Sequence, residues 1–247
     1  MRVAAVADTH CTKSSQGALQ PLFAAMSAAA EVLVLGGDLT DYGLADEARV
    51  LVDELTAARG TPIVAVLGNH DYESGEADRV KTILGDAGVH VLDGDVCEIQ
   101  GVGFAGVKGL GGGFGAHALQ AWGEDIIKRM VRETVDEALK LESALARLRT
   151  PQRVAILHYS PIEATVQGES PEIFPFLGSS RLEEPLLRYP VTTVVHGHAH
   201  RGRLEGWTRG RVPVYNVCLP LLQEAEPGRP PFRLIDLARL DPPVEQV

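Results

Sequence analysis

Apolar runs and stretches of helical spacing alternate along the first half of the chain. Arg2–Ala7 (RVAAVA), Glu31–Leu35 (EVLVL) and Pro62–Leu67 (PIVAVL) are almost unbroken in alanine, valine, leucine and isoleucine. A strand with one wet face alternates apolar and polar residues. A continuous run belongs to a strand covered on both faces, as in a parallel sheet under helices. Between these runs, Gln16–Ala30 predicts a first helix. Ala45–Ala58 predicts a second, through Ala48, Leu51, Val52 and Leu55, and Glu76–Leu84 a third. Short strands are predicted over Val89–Leu92, Val96–Ile99 and Val102–Val107. Further on, Arg153–Leu157, Thr192–Val195, Gly202–Glu205, Val212–Val217 and Phe232–Leu237 read as strands. The proline-containing end, Asp241–Val247, is expected to be loose.

One region departs from this rhythm. Gly109–Gly115 (GLGGGFG) lacks the Gly-Lys-Ser/Thr ending of a nucleotide loop and the spacing of a dinucleotide fingerprint, so it reads as a flexible connection. Ala118–Leu148 continues with an amphipathic helical pattern, in which Ile127, Val131, Val135, Ala138, Leu145 and Leu148 lie near one stripe. The expected organisation is one domain over residues 1–247, with this loop and helix at about 108–150 as an insertion or lid.

Composition narrows the classes of function. The formal net charge is −10, which repels a long phosphate backbone and argues against nucleic acid as a partner, while leaving room for a small phosphorylated substrate. No apolar run is long enough to span a membrane, and MRVAAVADTH turns polar too soon for a signal peptide. Cys11, Cys97 and Cys218 are odd in number and far apart, which suits a reducing cytoplasm rather than a disulfide framework. Cys97 and Cys218 fall in strand-like runs and read as small core residues; Cys11 reads as packed, with a thiol lining a pocket as the alternative.

The residues that carry chemistry stand directly after the strong strands. After RVAAVA come Asp8 and His10; after EVLVL, Gly37, Asp38 and Asp41; after PIVAVL, Gly68, Asn69, His70 and Asp71; after RVAIL, His158; after TTVV, His196, Gly197, His198 and His200. In open α/β sheets the carboxyl ends of strands form the ligand crevice, so these groups are expected to converge. Carboxylates, an amide and several imidazoles form a mixed N/O donor set suited to Mn, Fe, Zn or Co and large enough for two ions.

In type and order these motifs, D-x-H, G-D-x-x-D, G-N-H-D, an isolated His and G-H-x-H, resemble those of the calcineurin-like metallophosphoesterases. The resemblance implies an α/β fold, a four-layer αββα sandwich of two facing mixed sheets with a dinuclear metal site at the strand ends. It implies one ion on Asp8, His10, Asp38 and His200, and a second on Asp38, Asn69, His158 and His198. It further implies two divalent or mixed-valence transition metal ions (Mn, Fe or Zn) and hydrolysis of a phosphoester by in-line attack of a metal-bridging hydroxide. Phosphodiesterase activity on a small soluble substrate is the preferred reading, with phosphomonoesterase activity as the alternative.

The same resemblance makes His70 the catalytic group near the leaving oxygen and Asp41 the residue that orients it. Asp71 is expected to support the site or cap a turn, and His196 to support it from outside the ligand set. Arg181 and Arg201 are weighed as anion-binding groups against a solvated role; His90 and His117 read as surface residues. The loop after His158, Tyr159–Pro175, is expected to form a pocket wall. Two further readings are weighed. A non-catalytic scaffold of the same fold is disfavoured by His70, and a repair-type nuclease by the acidic balance. A lipid pyrophosphatase is also conceivable, though the chain shows no evident basic amphipathic anchor.

Overall fold

A computed structural model describes residues 1–240; the end expected to be loose, Asp241–Val247, lies outside the described residues. The first sheet contains β1 (Arg2–Val6), β2 (Val32–Gly36), β3 (Ile63–Val66), β4 (Val89–Val91) and β11 (Arg233–Asp236), in the order β11-β1-β2-β3-β4. The second contains β5 (Asp95–Ile99), β6 (Val102–Gly106), β7 (Gln152–Ile156), β8 (Thr193–His196), β9 (Glu205–Trp207) and β10 (Pro213–Asn216), in the order β5-β6-β7-β8-β10-β9. In each sheet the central strands run parallel: β1 to β4 in the first, and β6, β7, β8 and β10 in the second. Antiparallel strands close three of the four edges, and β4 forms the fourth as a parallel strand.

Period-two alternation decides which side chains meet. Val3, Ala5, Val32, Val34, Val64 and Val66 face the other sheet, where they pack with Phe104, Val154, Ile156 and Val195. The intervening residues, among them Ala4, Val6, Leu33 and Leu35, face outward onto Phe23, Met26, Leu51 and Leu84. These belong to helices α1 (Gln20–Ala29), α2 (Ala45–Leu55) and α3 (Ala77–Asp86). The second sheet is covered by α4 (Asp125–Arg147) and α5 (Glu183–Arg188), through Leu141, Ala144, Leu145, the following Leu148 and Leu186 on Ala105, Ala155, Leu157 and Val194. Two sheets face each other between two helical layers, so the αββα sandwich is the observed fold. Each fully buried leucine contributes about 1.5–3 kcal/mol through its removal from water.

The expected helix over Ala118–Leu148 is shorter in the structure. It starts at Asp125, after Gly123, whose φ of 73° interrupts helical geometry. Its buried face passes through Val131, Thr134, Glu137, Leu141 and Leu145, so Val135 lies off the centre of the stripe. Two polar residues sit on that face because they hold the glycine-rich segment. The Thr134 hydroxyl donates to the Gly111 carbonyl at 2.7 Å, and the Glu137 carboxylate accepts from Gly109 N–H at 2.7 Å. Gly111 needs its missing side chain, since a Cβ there would lie 2.5 Å from the Pro175 carbonyl. Residues 109–115 are thus fastened on both sides, to α4 and to the loop after His158.

Candidate metal centre

The motif residues stand just beyond the carboxyl ends of β1, β2 and β3 in one sheet and of β7 and β8 in the other. Because these strands run the same way within each sheet, the five ends bring their loops to one rim of the sandwich. The turns there are tight. A Cβ on Gly68 would sit 2.2 Å from Asp38 Oδ1, and one on Gly37 2.5 Å from the His158 ring. Asp8, His10, Asp38 and His198 adopt left-handed backbone conformations, with φ of 59°, 42°, 48° and 70°. Non-glycine residues pay for that conformation in steric strain, which persists only where the surroundings enforce it.

Asp38 lies at the centre, almost fully buried. Its Oδ1 accepts from the His70 backbone N–H at 2.8 Å and lies 3.3 Å from His158 Nε2; its Oδ2 lies 3.8 Å from His10 Nε2. The two oxygens therefore face two different groups of donors. On one side, His158 Nε2 is 2.9 Å from Asn69 Oδ1, and its ring centre is 4.9 Å from that of His198. On the other, the His10 ring lies 5.7 Å from that of His200, whose Nε2 is 3.0 Å from Asp8 Oδ1.

Three of these imidazoles are anchored through one ring nitrogen, which leaves the other for the site. His158 Nδ1 donates to the Gly36 carbonyl at 3.0 Å, leaving Nε2 to face Asp38 and Asn69. His198 Nε2 donates to the Phe176 carbonyl at 3.1 Å, leaving Nδ1. His10 Nδ1 contacts Asp41 Oδ1 at 3.1 Å, and its Nε2 is buried with no hydrogen-bond partner among the described residues. A buried imidazole nitrogen with no partner, aimed at a carboxylate, is a position that a cation completes. Asp8–His200–Cys218, His10–Asp38–His70 and Asp38–His158–His198 are close enough to share an ion as groups of three.

Electrostatics point the same way. Burial pushes the Asp38 carboxyl up, but the neighbouring His158 outweighs it and holds Asp38 below its usual range. Burial also opposes ionisation of Asp8, and the bond from His200 overcomes it. Burial disfavours the charged form of His158, yet Asp38 beside it raises its pKa to about 9. His198, buried and near His158, is lowered to about 4. Buried carboxylates are thus held ionised by imidazoles, as a cation would hold them.

The remaining predicted residues take distinct places. His70 Nδ1 lies 2.7 Å from the backbone carbonyl of Asp41, while the Asp41 carboxylate turns to His10. Asp71 is wholly buried and ties the turns that carry Asp38 and Asn69 together: Oδ1 accepts from Thr40 N and Oγ1, and Oδ2 from Leu39 N and Gly68 N. His196 is fully buried, with Nδ1 on the Gly197 carbonyl and Nε2 on Thr165 Oγ1, which also meets Ser160 Oγ. Cys11 packs in the core under the helices, its thiol pushed up to about 12 by burial. Arg181 donates to the Leu119 carbonyl, and Arg201, His90 and His117 are exposed on the surface. The loop after His158 bounds a cleft of about 380 Å³ between Phe114, Pro171 and Phe174.

One residue of this rim was missed. Cys218 is a fully buried thiol whose Sγ lies 2.9 Å from Asp8 Oδ2. The strand-end rule that singles out Asp8 applies to it equally, because it comes just after β10; its residue type drew the core reading instead.

The five motifs fall within residues 1–202, which match the family model described as calcineurin-like phosphoesterase. No curated protein matches the sequence. Among solved structures, the chain is similar to a phosphopantetheinyl hydrolase from Mycobacterium tuberculosis, with 17% identity and a TM-score of 0.66 over 94% of this chain and 95% of that one. It is also similar to TT1561 of Thermus thermophilus, with 14% identity and a TM-score of 0.55 over 96% and 98%. These likenesses share the fold, and the match to 202 of 247 residues makes the chain a member of the calcineurin-like phosphoesterases, a family whose chemistry is metal-dependent hydrolysis of phosphoester bonds.

Proposed function

We propose that the protein is a dinuclear metallohydrolase acting on a small phosphodiester. Asp8, His10, Asp38 and His200 would hold one ion, and Asp38, Asn69, His158 and His198 the other. The observation that carries this reading is Asp38, whose two carboxylate oxygens face His158 on one side and His10 on the other. The donors are imidazole, carboxylate and amide, which favours Mn, Fe or Zn. When bound, such a pair neutralises phosphoryl charge and lowers the pKa of water.

The chain's own residues supply the rest. A carbonyl can only accept, so Asp41 fixes a proton on His70 Nδ1 and leaves Nε2 to exchange one with a leaving oxygen. The His70 ring stands edge-on to that of His10 at 4.5 Å, which puts it against the ligand cluster. Asp71 holds the turns that carry Asp38 and Asn69 in register. The three cysteines are free, in keeping with a reducing cytoplasm, and no helix among the described residues is long and apolar enough to cross a membrane.

The test is a substrate panel on protein reconstituted with Mn, Fe or Zn: aryl mono- and diesters, cyclic nucleotides, dinucleotides and a phosphopantetheinyl conjugate. Diester turnover above monoester turnover is expected. His70→Ala is expected to keep both ions and to lose about 10²–10⁴-fold in rate, the usual worth of a general acid. Two bound ions with no turnover of any ester would leave the scaffold reading in its place. Monoester preference would make the protein a phosphatase of the same family.

A further inference from the structure

We infer that Cys218 is a positioning residue of the metal centre: its thiol donates to Asp8 Oδ2 and so presents Oδ1 as the metal-facing oxygen. The inference rests on the reading of Asp8 as a ligand.

The geometry distinguishes the two oxygens of Asp8. Cys218 Sγ lies 2.9 Å from Oδ2, and Oδ1 lies 3.0 Å from His200 Nε2, the neighbour assigned to the same ion. The His198 backbone N–H reaches both oxygens at 3.1 Å. A carboxylate ionised in a buried site needs donors for the lone pairs that no cation takes. Cys218 supplies one to Oδ2, the oxygen that His200 does not take.

Cys218 is itself held. Its backbone N–H donates to Asn216 Oδ1 at 3.2 Å, and Asn216 Nδ2 donates to the Ala199 carbonyl at 2.7 Å. Ala199 lies between His198 and His200. Residue 218 also pairs with Ala7, the residue before Asp8. The end of β10 therefore braces Asp8 and the His198–His200 turn at once, in the middle of the rim where both ligands sit. Gly197 completes the fit, because a Cβ there would lie 2.5 Å from Asp8 Oδ2 and displace the carboxylate from the thiol.

Hydrogen-bond partners of this kind typically raise metal affinity about 10–100-fold. Metal content and stepwise metal affinity are measured for wild type, Cys218→Ala and Cys218→Ser by elemental analysis and calorimetric titration. Cys218→Ala is expected to weaken one ion about 10-fold and leave the other unchanged; Cys218→Ser, which keeps a donor, is expected to recover most of the loss. Equal affinities in all three proteins would overturn the inference. The Co(II)-substituted wild type needs no variant: an intense near-ultraviolet sulfur-to-cobalt charge-transfer band would make the sulfur a ligand, not a donor, and would also overturn it. Wild type that binds no ion at all would instead refute the metal centre itself.

Discussion

Asp71→Asn gives a direct measure of how the site is scaffolded. The carboxylate accepts four hydrogen bonds and is wholly buried. Asparagine can present only one oxygen, so its amide NH₂ must face one of the two donor pairs. Facing Leu39 N and Gly68 N, it strands two N–H groups. Facing Thr40, it strands only one, because the Thr40 hydroxyl can rotate to accept. The second arrangement is preferred. It leaves one buried unsatisfied N–H, worth about 1–3 kcal/mol, and removes charge assistance from two surviving bonds, worth about 1 kcal/mol each. Relief from burying a charge offsets part of this, and the net loss is about 2–4 kcal/mol, a large share of the 5–15 kcal/mol that holds a typical domain. Urea unfolding of the metal-free protein measures it, and Asp71→Ala, which strands all four donors, is expected to be less stable still. If Asp71→Asn lies within about 0.5 kcal/mol of wild type, the carboxylate does not brace these turns and the reasoning fails.

Other outcomes rest on the same geometry. Gly68→Ala drives a methyl into Asp38 Oδ1, so the variant is expected to lose bound metal by elemental analysis; full occupancy would contradict the packing. Thr134→Val removes the bond to Gly111, and hydrogen exchange over residues 109–115 is expected to accelerate several-fold, consistent with about 1 kcal/mol of lost local protection. Burial lifts the Cys97 thiol to about 11, so its native-state alkylation should keep rising about tenfold per pH unit beyond the point, near 8.5, where an unfolded thiol levels off. Because the folded value is the raised one, this contribution to stability is complete below the unfolded value and is lost as pH rises toward 11. An alkylation plateau near pH 8.5 would count against that burial.

The rim where the motif residues converge was legible in the sequence because the rule that locates it is local. A buried run ends, and the next residues are polar: Asp8, Asp38, Asn69, His158 and His198 all satisfy this without knowledge of which strands pair. The facing of two sheets was not legible in the residue pattern, because Val3 and Ala4 are equally apolar and only the structure shows that one meets Val154's layer and the other the helices. Resemblance supplied that arrangement. Thr134 and Glu137 broke the stripe on α4 because they bond to backbone far away in sequence. Asp41 shows a subtler limit: a motif names the residue that touches His70, but not whether its carboxylate or its carbonyl makes the contact.

The left-handed backbone at Asp8, His10, Asp38 and His198 has an implication for anyone who would engineer this protein. Glycine at any of these four positions relieves steric strain that the native residue bears. A screen that rewards heat resistance alone will therefore tend to discard the very residues proposed to hold the ions, and with them the proposed activity. Stabilisation has to be sought elsewhere, on the outer helices, with metal retention scored alongside survival.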